Sequence, residues 1–264
     1  MSMPFPKVDR VVYKTNPINE LICEFRFPRI LSINEKDPVE FQEKIRSEYP
    51  IYKLVIGHQV QGTIEVPANS MDAPTSRVFQ SEKIKNHQFY SVDNDLRVNL
   101  NSTSFSISTK KYERWESFLP KISELLTIFT DIYKPAFYER IGLKYVDVFQ
   151  RSKLNLSPET KWGELIQPQA AGYFAEQELT QFIRNYTSSV EIDIGNSAIA
   201  QIQTFLGETA DAQKERVFII VSDLFYLRKK LVEADESLVY LHSVAYRILR
   251  SIITEKLHNA MGPT

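Results

Sequence analysis

Apolar residues follow two different periods in this chain, and the change from one period to the other occurs twice. Stretches in which apolar and polar residues alternate lead into residues 112–133 and 236–260, where apolar residues recur every three or four positions. Alternation is typical of half-buried strands, and the three-four spacing is typical of a helix with one apolar face. The sequence therefore predicts sheets that bury one face against long amphipathic helices, which is an α+β fold.

The two parts of the chain also share an order of elements. A strand is predicted at 20–27 and again at 138–149, and each is followed by shorter helical segments, further strands and one long helix. Tight turns between the further strands favour antiparallel pairing. We therefore predict two similar halves, residues 1–135 and 136–264, that form one compact unit. Each half is expected to be a curved antiparallel sheet packed on a long amphipathic helix.

Two residues bear on the ends and the continuity of the long helices. Pro120 lies inside the first helix and predicts a kink or the start of a second segment. Asp235 is a predicted N-cap for the last helix, which we expect to run from Glu236 to Ala260.

Composition limits the classes of function. The 32 Lys and Arg residues nearly balance the 33 Asp and Glu residues, so the net charge of −1 does not indicate a bulk polyanion binder. Glycine occurs 8 times in 264 residues, which weakens the case for loops that cradle phosphates. The single cysteine, Cys23, excludes an intramolecular disulfide and favours a reducing compartment. Because the N-terminal residues contain no apolar leader, we expect a cytoplasmic protein without a membrane segment.

Motifs for a cofactor, a metal ion or covalent catalysis are not apparent in the sequence. Gly57 and Gly62 lack the Lys and Ser/Thr that follow a phosphate-binding loop. Glu255 and His258 share a helix face, but the second Glu-x-x-His pair of a di-iron site is absent. Cys23 lies on the apolar face of a strand, where burial opposes thiolate formation. We therefore expect no cofactor and no metal, and we favour a protein without catalytic activity.

Cations and aromatic residues interleave between residues 77 and 90. The candidate nucleic-acid-binding side chains are Arg77, Lys83, Lys85, Phe89 and Tyr90. Proteins that bind single strands combine cations with aromatic rings on neighbouring strands in this way. The alternative interpretation is an exposed strand that is charged for solubility.

A second group of candidates surrounds Asp223, an acid within an apolar strand. Such an acid must face solvent, cap a backbone group or pair with a cation. Arg140 and Lys144, on the polar face of the strand at 138–149, are natural partners if the two strands adjoin. His242 lies beside the apolar stripe of the last helix. These four residues are candidates for the pocket of an enzyme or a small-ligand binder, and a structural ion pair and a structural histidine are the alternatives.

Short segments along nearly the whole chain resemble a known family. They are Asn16-Pro17-Ile18, Cys23-Glu24-Phe25-Arg26-Phe27, Arg140-Ile141-Gly142-Leu143-Lys144-Tyr145, Leu241-His242 and Ile253-Thr254-Glu255-Lys256-Leu257. Together they resemble a sporadically distributed family of bacterial and archaeal proteins of about this length. That family tends to carry an aromatic residue a few positions after the tail histidine, a region that Ala245-Tyr246 occupies here. The resemblance implies no established activity, and the patchy distribution implies mobile genes such as phage-defence or toxin–antitoxin cassettes.

The sequence thus favours a non-catalytic cytoplasmic protein-interaction module. Its partner is expected to be a protein encoded nearby, and self-association into a homodimer is a further expectation. The 16 Phe, 13 Tyr and 2 Trp residues support this hypothesis, since aromatic residues are enriched in interface cores, although they can equally fill the sheet–helix cores. The alternatives are nucleic-acid binding near residues 77–90 and a pocket near Asp223.

Overall fold

The strands form one antiparallel sheet. The computed structural model describes residues 3–63, 78–176 and 178–264. Within these residues the strands are β1 (Ile18–Arg26), β2 (Ile51–Thr63), β3 (Val78–Tyr90), β4 (Leu96–Leu100), β5 (Ser104–Thr109), β6 (Tyr138–Phe149), β7 (Thr187–Asp193), β8 (Ala198–Glu208) and β9 (Arg216–Lys229). Their order across the sheet is β2-β3-β4-β5-β1-β6-β9-β8-β7. Every neighbouring pair is antiparallel, so the α+β class is confirmed.

Helices of very different length accompany the sheet. In the described residues they are α1 (Leu31–Glu35), α2 (Val39–Ile45), α3 (Trp115–Tyr133), α4 (Trp162–Leu165), α5 (Pro168–Ala171), α6 (Ala234–Ile252) and α7 (Glu255–Ala260). The two long ones, α3 and α6, each turn an apolar stripe toward the sheet. In α3, for example, Phe129 stacks on Phe105 of β5 with ring centroids 4.7 Å apart. Among these helices, none has both the length and the apolar character needed to cross a membrane.

The long helices differ from expectation in two details at their N-terminal ends. Helix α3 begins at Trp115 and continues through Pro120, so no second segment starts there. Glu233, not Asp235, occupies the N-cap position of α6. The Asp235 carboxylate instead accepts a hydrogen bond of 2.9 Å from the Ser123 hydroxyl, which links α6 to α3.

The expected single helix from residue 236 to 260 is wrong, because the chain breaks after Ile252. Ile253 is extended and forms an antiparallel bridge with Ile166. The Thr254 hydroxyl then accepts a hydrogen bond from the backbone N–H of Leu257, which starts α7 as a separate helix.

The two faces of the sheet have different surroundings. On β6, Ile141, Leu143 and Tyr145 are buried beneath the helices, on what we call the helix-covered face. The alternate residues Arg140 and Lys144 point to the opposite face, because successive side chains of a strand alternate. One depression of about 320 Å³ on that opposite face is lined by side chains from six neighbouring strands, β3, β4, β5, β1, β6 and β9. We call this opposite face of the sheet the concave face.

The segment at residues 10–18 is fixed against the C-terminal end of the chain. The backbone N–H of Lys14 donates to the carbonyl of Gly262, and that of Thr15 donates to the carbonyl of Met261, both at 3.0 Å. Gly262 has a φ of 68°, which glycine adopts without steric cost. The segment therefore forms a supported wall beside β6 and α6.

Candidate functional site

The four predicted pocket residues divide between the two faces of the sheet. Arg140, Lys144 and Asp223 lie together on the concave face, at neighbouring positions of β6 and β9. His242 lies on α6, which covers the other face. The structure therefore brings together three of the four side chains and separates the histidine from them by the thickness of the sheet.

Arg140 is the centre of an ion-pair network on the concave face. Its Nη2 lies 2.6 Å from Oδ1 of Asp223, and its Nη1 lies 3.0 Å from Oε2 of Glu24. Lys144 Nζ lies 3.2 Å from the second carboxylate oxygen of Asp223, directly across the β6–β9 pair. The Arg140 and Asp223 side chains are 12% and 14% exposed, so the pair is largely removed from water. The charges of this network thus satisfy one another.

A glycine makes room for the Arg140 guanidinium. A Cβ atom at Gly142 would lie 2.0 Å from Nη1 of Arg140, so only glycine leaves space for the guanidinium in this position. On the neighbouring strand, the Phe225 ring lies under the guanidinium, with its centroid 4.5 Å from Cζ. Gly142 thus leaves the space in which Arg140 lies, and the cation–π contact with Phe225 holds the guanidinium there.

The predicted nucleic-acid-binding residues lie on β3, except Arg77, which lies outside the described residues. Lys83 is exposed and Lys85 is half-buried. Phe89 is fully buried and packs against the rings of Phe41 and Tyr52. Its ring is therefore not available to stack on a base.

Tyr90 points to the other face of β3 from Phe89. Its hydroxyl donates to Oε1 of Gln88 at 2.7 Å, and Lys53 Nζ lies 4.9 Å from its ring centroid. The structure therefore does not gather the two aromatic rings and the two lysines of this cluster on a single surface.

His242 is enclosed by aromatic side chains. Its ring stacks on Trp115 with centroids 4.3 Å apart, and its Nδ1 shares a hydrogen bond of 2.7 Å with the Tyr145 hydroxyl. Burial, followed by the positive charge of Arg10, lowers the pKa of His242 to about 3. Burial also raises the pKa of the Tyr145 hydroxyl. Both groups are therefore neutral near pH 7, and the histidine is a poor proton acceptor there.

Asp147, which was not among the predicted site residues, lies two positions along β6 from Tyr145. The side chain shares the helix-covered face, and the residue is 3% exposed. Its Oδ1 has no hydrogen-bond partner among the described residues, and burial raises the pKa of the carboxyl to about 7. The signal was present in the sequence, since alternation from Ile141 and Leu143 places Asp147 on the apolar face.

A cavity of about 80 Å³ opens beside Asp147. The segment 10–18, β6, β9 and α6 form its walls. The side chains of Tyr112, Tyr145, His242 and Tyr246 are among those that line it. We call it the Asp147 cavity. It combines aromatic walls with one buried carboxyl group, and it is separate from the concave face.

Glu255 and His258, the one Glu-x-x-His pair found in the sequence, form hydrogen bonds with other side chains. His258 Nδ1 shares a hydrogen bond of 2.8 Å with the Tyr13 hydroxyl, and Glu255 accepts one of 2.6 Å from Arg250. Across the described ranges, no group of three or more His, Cys, Asp or Glu side chains could hold a metal ion.

No protein-family model matches the sequence, and no curated protein matches it significantly.

Proposed function

We propose that this protein is a non-catalytic cytoplasmic interaction module that binds an extended segment of a partner protein along the outer edge of β2. The observation that carries the proposal is the exposure of consecutive apolar side chains on this strand. Leu54, Val55 and Ile56 are 42%, 45% and 57% exposed, and Tyr52 is 38% exposed. Strand β2 stands at one end of the sheet order, so one side of its backbone faces away from the sheet.

The opposite edge of the sheet has a different composition, which makes β2 distinctive. Strand β7 carries Glu191 and Asp193 at its edge, and Val190 is its one large apolar side chain with substantial exposure. Charged residues at an edge discourage further strand pairing, whereas a long apolar edge invites it. The contrast supports β2 as the edge that receives a partner strand.

The register of β2 defines the chemistry of that partner. Tyr52, Leu54 and Ile56 share one face of the strand because side chains alternate. An added strand places its own alternate side chains against these three, so a complementary segment carries apolar residues at every second position. Backbone hydrogen bonds along the edge supply affinity that does not depend on sequence.

The resemblance to a sporadically distributed family supports a partner encoded nearby. Patchily distributed genes often travel with the genes of their partners, as in phage-defence or toxin–antitoxin cassettes. We propose that the chain belongs to that family and that its gene lies in such a cassette.

We also propose that residues 1–135 and 136–264 are two similar halves. Counted outward from the central pair, the order is β1-β5-β4-β3 on one side and β6-β9-β8-β7 on the other. Helices α3 and α6 follow β5 and β9 at corresponding positions. In this arrangement β2 is the additional strand of the first half, which supports a role beyond the shared architecture.

Native mass spectrometry of the tagged protein, purified from its host with the neighbouring genes intact, tests the proposed function. We expect a heteromeric mass for the natural sequence and loss of that mass in the double variant Leu54→Lys/Ile56→Lys, because two charges on the apolar edge oppose strand pairing. The matched control is Val190→Lys at the β7 edge, which should retain the partner. A monomer or a homodimer for the natural sequence would contradict the proposal.

A polar ligand on the concave face is a second candidate function. The depression of about 320 Å³ and the 40% exposure of the Lys144 side chain favour it. The Asp223→Asn variant tests it, because it removes the charge that holds Arg140 and Lys144 in place. If the variant protein acts as the natural one does in cells, this site is not the functional one.

Nucleic-acid binding through the β3 cations is the other alternative. The exposure of Lys83 favours it, although Phe89 cannot offer its ring. Replacing Lys83 and Lys85 with glutamate should abolish binding to single-stranded nucleic acid and flatten its salt dependence. Unchanged affinity would exclude this surface.

A further inference from the structure

We infer that the Asp147 cavity binds a small organic cation, an amine or guanidine with an apolar body, at a site separate from the β2 edge. Three features of the cavity point to such a ligand: a buried carboxylate oxygen without a hydrogen-bond partner in the described part of the chain, aromatic walls beside it, and walls that are already held in place. The first feature defines the charge of the ligand, and the other two define its shape.

One oxygen of the Asp147 carboxyl, Oδ1, lacks among the described residues the hydrogen-bond partner that a buried acid normally has. The residue is 3% exposed, and no hydrogen bond reaches its Oδ1 within the described residues. Burial is the cause of its raised pKa, with no contribution from a nearby cation. A buried carboxylate without a partner is costly, so a ligand that brings a positive charge and N–H donors gains what the protein does not supply.

Arg10 does not fill this role, although it lines the same cavity. Its Nη1 lies 2.7 Å from Oε1 of Glu116, so its charge is directed to an acid of α3. The guanidinium therefore leaves Asp147 free for a cation that enters from solvent.

The cavity has the size and the lining for the apolar body of such a ligand. Its 80 Å³ is several times the roughly 10–15 Å³ that one water molecule requires. Tyr145 and Tyr246 line it together with Ala245 and Leu249 of α6. Aromatic faces attract ammonium and guanidinium groups, so the lining complements the carboxylate rather than competing with it.

The walls are preformed, as is usual for small-molecule sites. Asn16 donates from its amide nitrogen to the carbonyl of Tyr112 at 2.9 Å and accepts from the backbone N–H of Ile18 at 3.1 Å. The backbone bonds from Lys14 and Thr15 to the C-terminal turn hold the same segment from the other side. A ligand therefore enters an existing space and does not have to order a loop.

Isothermal titration calorimetry with benzylamine and its uncharged isostere benzyl alcohol tests the inference. At about pH 8, above the pKa of about 7 for Asp147, the carboxyl is ionised and benzylamine is cationic. We expect benzylamine to bind about tenfold or more tightly than benzyl alcohol, as for a charge-assisted hydrogen bond in a buried site. The Asp147→Asn variant should lose this preference, and Asp131→Asn, which changes an exposed acid of α3, should keep it.

A second variant keeps the test independent of the carboxyl group. Ala245→Leu fills the cavity and leaves Asp147 in place, so it should abolish binding of both probes, and circular dichroism checks that each variant is folded. Equal affinity for the amine and the alcohol, no binding of benzylamine at millimolar concentration, or binding that survives Asp147→Asn would each overturn the inference.

Discussion

Asp147 is buried and His242 is half-buried on the same side of the sheet, and loss of hydration displaces their pKa values in opposite directions. The pKa of Asp147 is raised to about 7 and that of His242 is lowered to about 3. In the unfolded chain an aspartate titrates near 3.8 and a histidine near 6.5. The contribution of Asp147 to the free energy of unfolding is therefore lost as the pH rises from about 4 to 7. The contribution of His242 is lost as the pH falls from about 6.5 to 3.

The Asp147→Asn variant should reveal this titration. Since the asparagine cannot ionise, we expect the variant to gain roughly 4 kcal/mol relative to the natural protein as the pH rises from about 4 to 7. Urea unfolding at several pH values measures the difference. His242→Gln is the complementary variant, whose advantage should appear as the pH falls below about 6.5. Parallel stability curves for Asp147→Asn and the natural protein would show that the carboxyl is not buried in solution.

Gly142→Ala should destabilise the protein through Arg140. The added Cβ would lie 2.0 Å from Nη1, so the guanidinium must move and release Glu24 and Asp223. We expect a loss of about 1–3 kcal/mol in the free energy of unfolding. The double variant with Arg140→Ala provides the control, because without the arginine the alanine at 142 should add almost nothing. Additive losses would mean that the clash is with something else.

The sequence predicted part of this chemistry. Asp223 stood out as an acid in an apolar strand, and Arg140 and Lys144, on the polar face of their own strand, were its expected partners if the two strands adjoined. Asp147 follows from the same alternation, but a polar residue on an apolar face shows no partner in one dimension. The separation of His242 from the other candidates depends on which face α6 covers, and spacing does not determine that face.

At the scale of elements, Phe129 is one of the buried side chains that attach α3 to the sheet. Its ring stacks on the ring of Phe105, its ring centroid lies 5.0 Å from that of Phe27, and the residue is fully buried. Phe129→Ala should therefore cost about 3–5 kcal/mol in the free energy of unfolding. Thr127→Ala, at an exposed position of the same helix, should change it by no more than about 0.5 kcal/mol. Chemical denaturation measures both, and similar losses would contradict the packing described here.

The periodicity of apolar residues predicted the strand at 138–149, which is β6, because its alternate residues from Ile141 to Phe149 are all buried. It did not predict the break at Ile253. There the interruption comes from a distant part of the chain, since Ile253 pairs with Ile166. The Thr254 hydroxyl also donates to the carbonyl of Glu164 at 2.9 Å. The helical spacing of apolar residues continues through the break and hides it.

At the scale of the whole molecule, the order of strands in the sheet could not be predicted from the sequence. Alternation shows which residues share a face, but the pairing of β1 with β6, 120 residues apart at their first positions, arises from tertiary packing. That pairing makes a single sheet that ends, among the described residues, with β2 on one side and β7 on the other. The unequal composition of those edges is the basis of the proposed function.

Hydrogen–deuterium exchange of the protein, alone and after purification with its partner, tests that claim most directly. A strand added to β2 protects backbone N–H groups of residues 52–56 that do not bond to β3. We predict slower exchange at these residues in the complex and unchanged exchange along β7. Protection that leaves β2 unchanged and appears elsewhere would contradict the account.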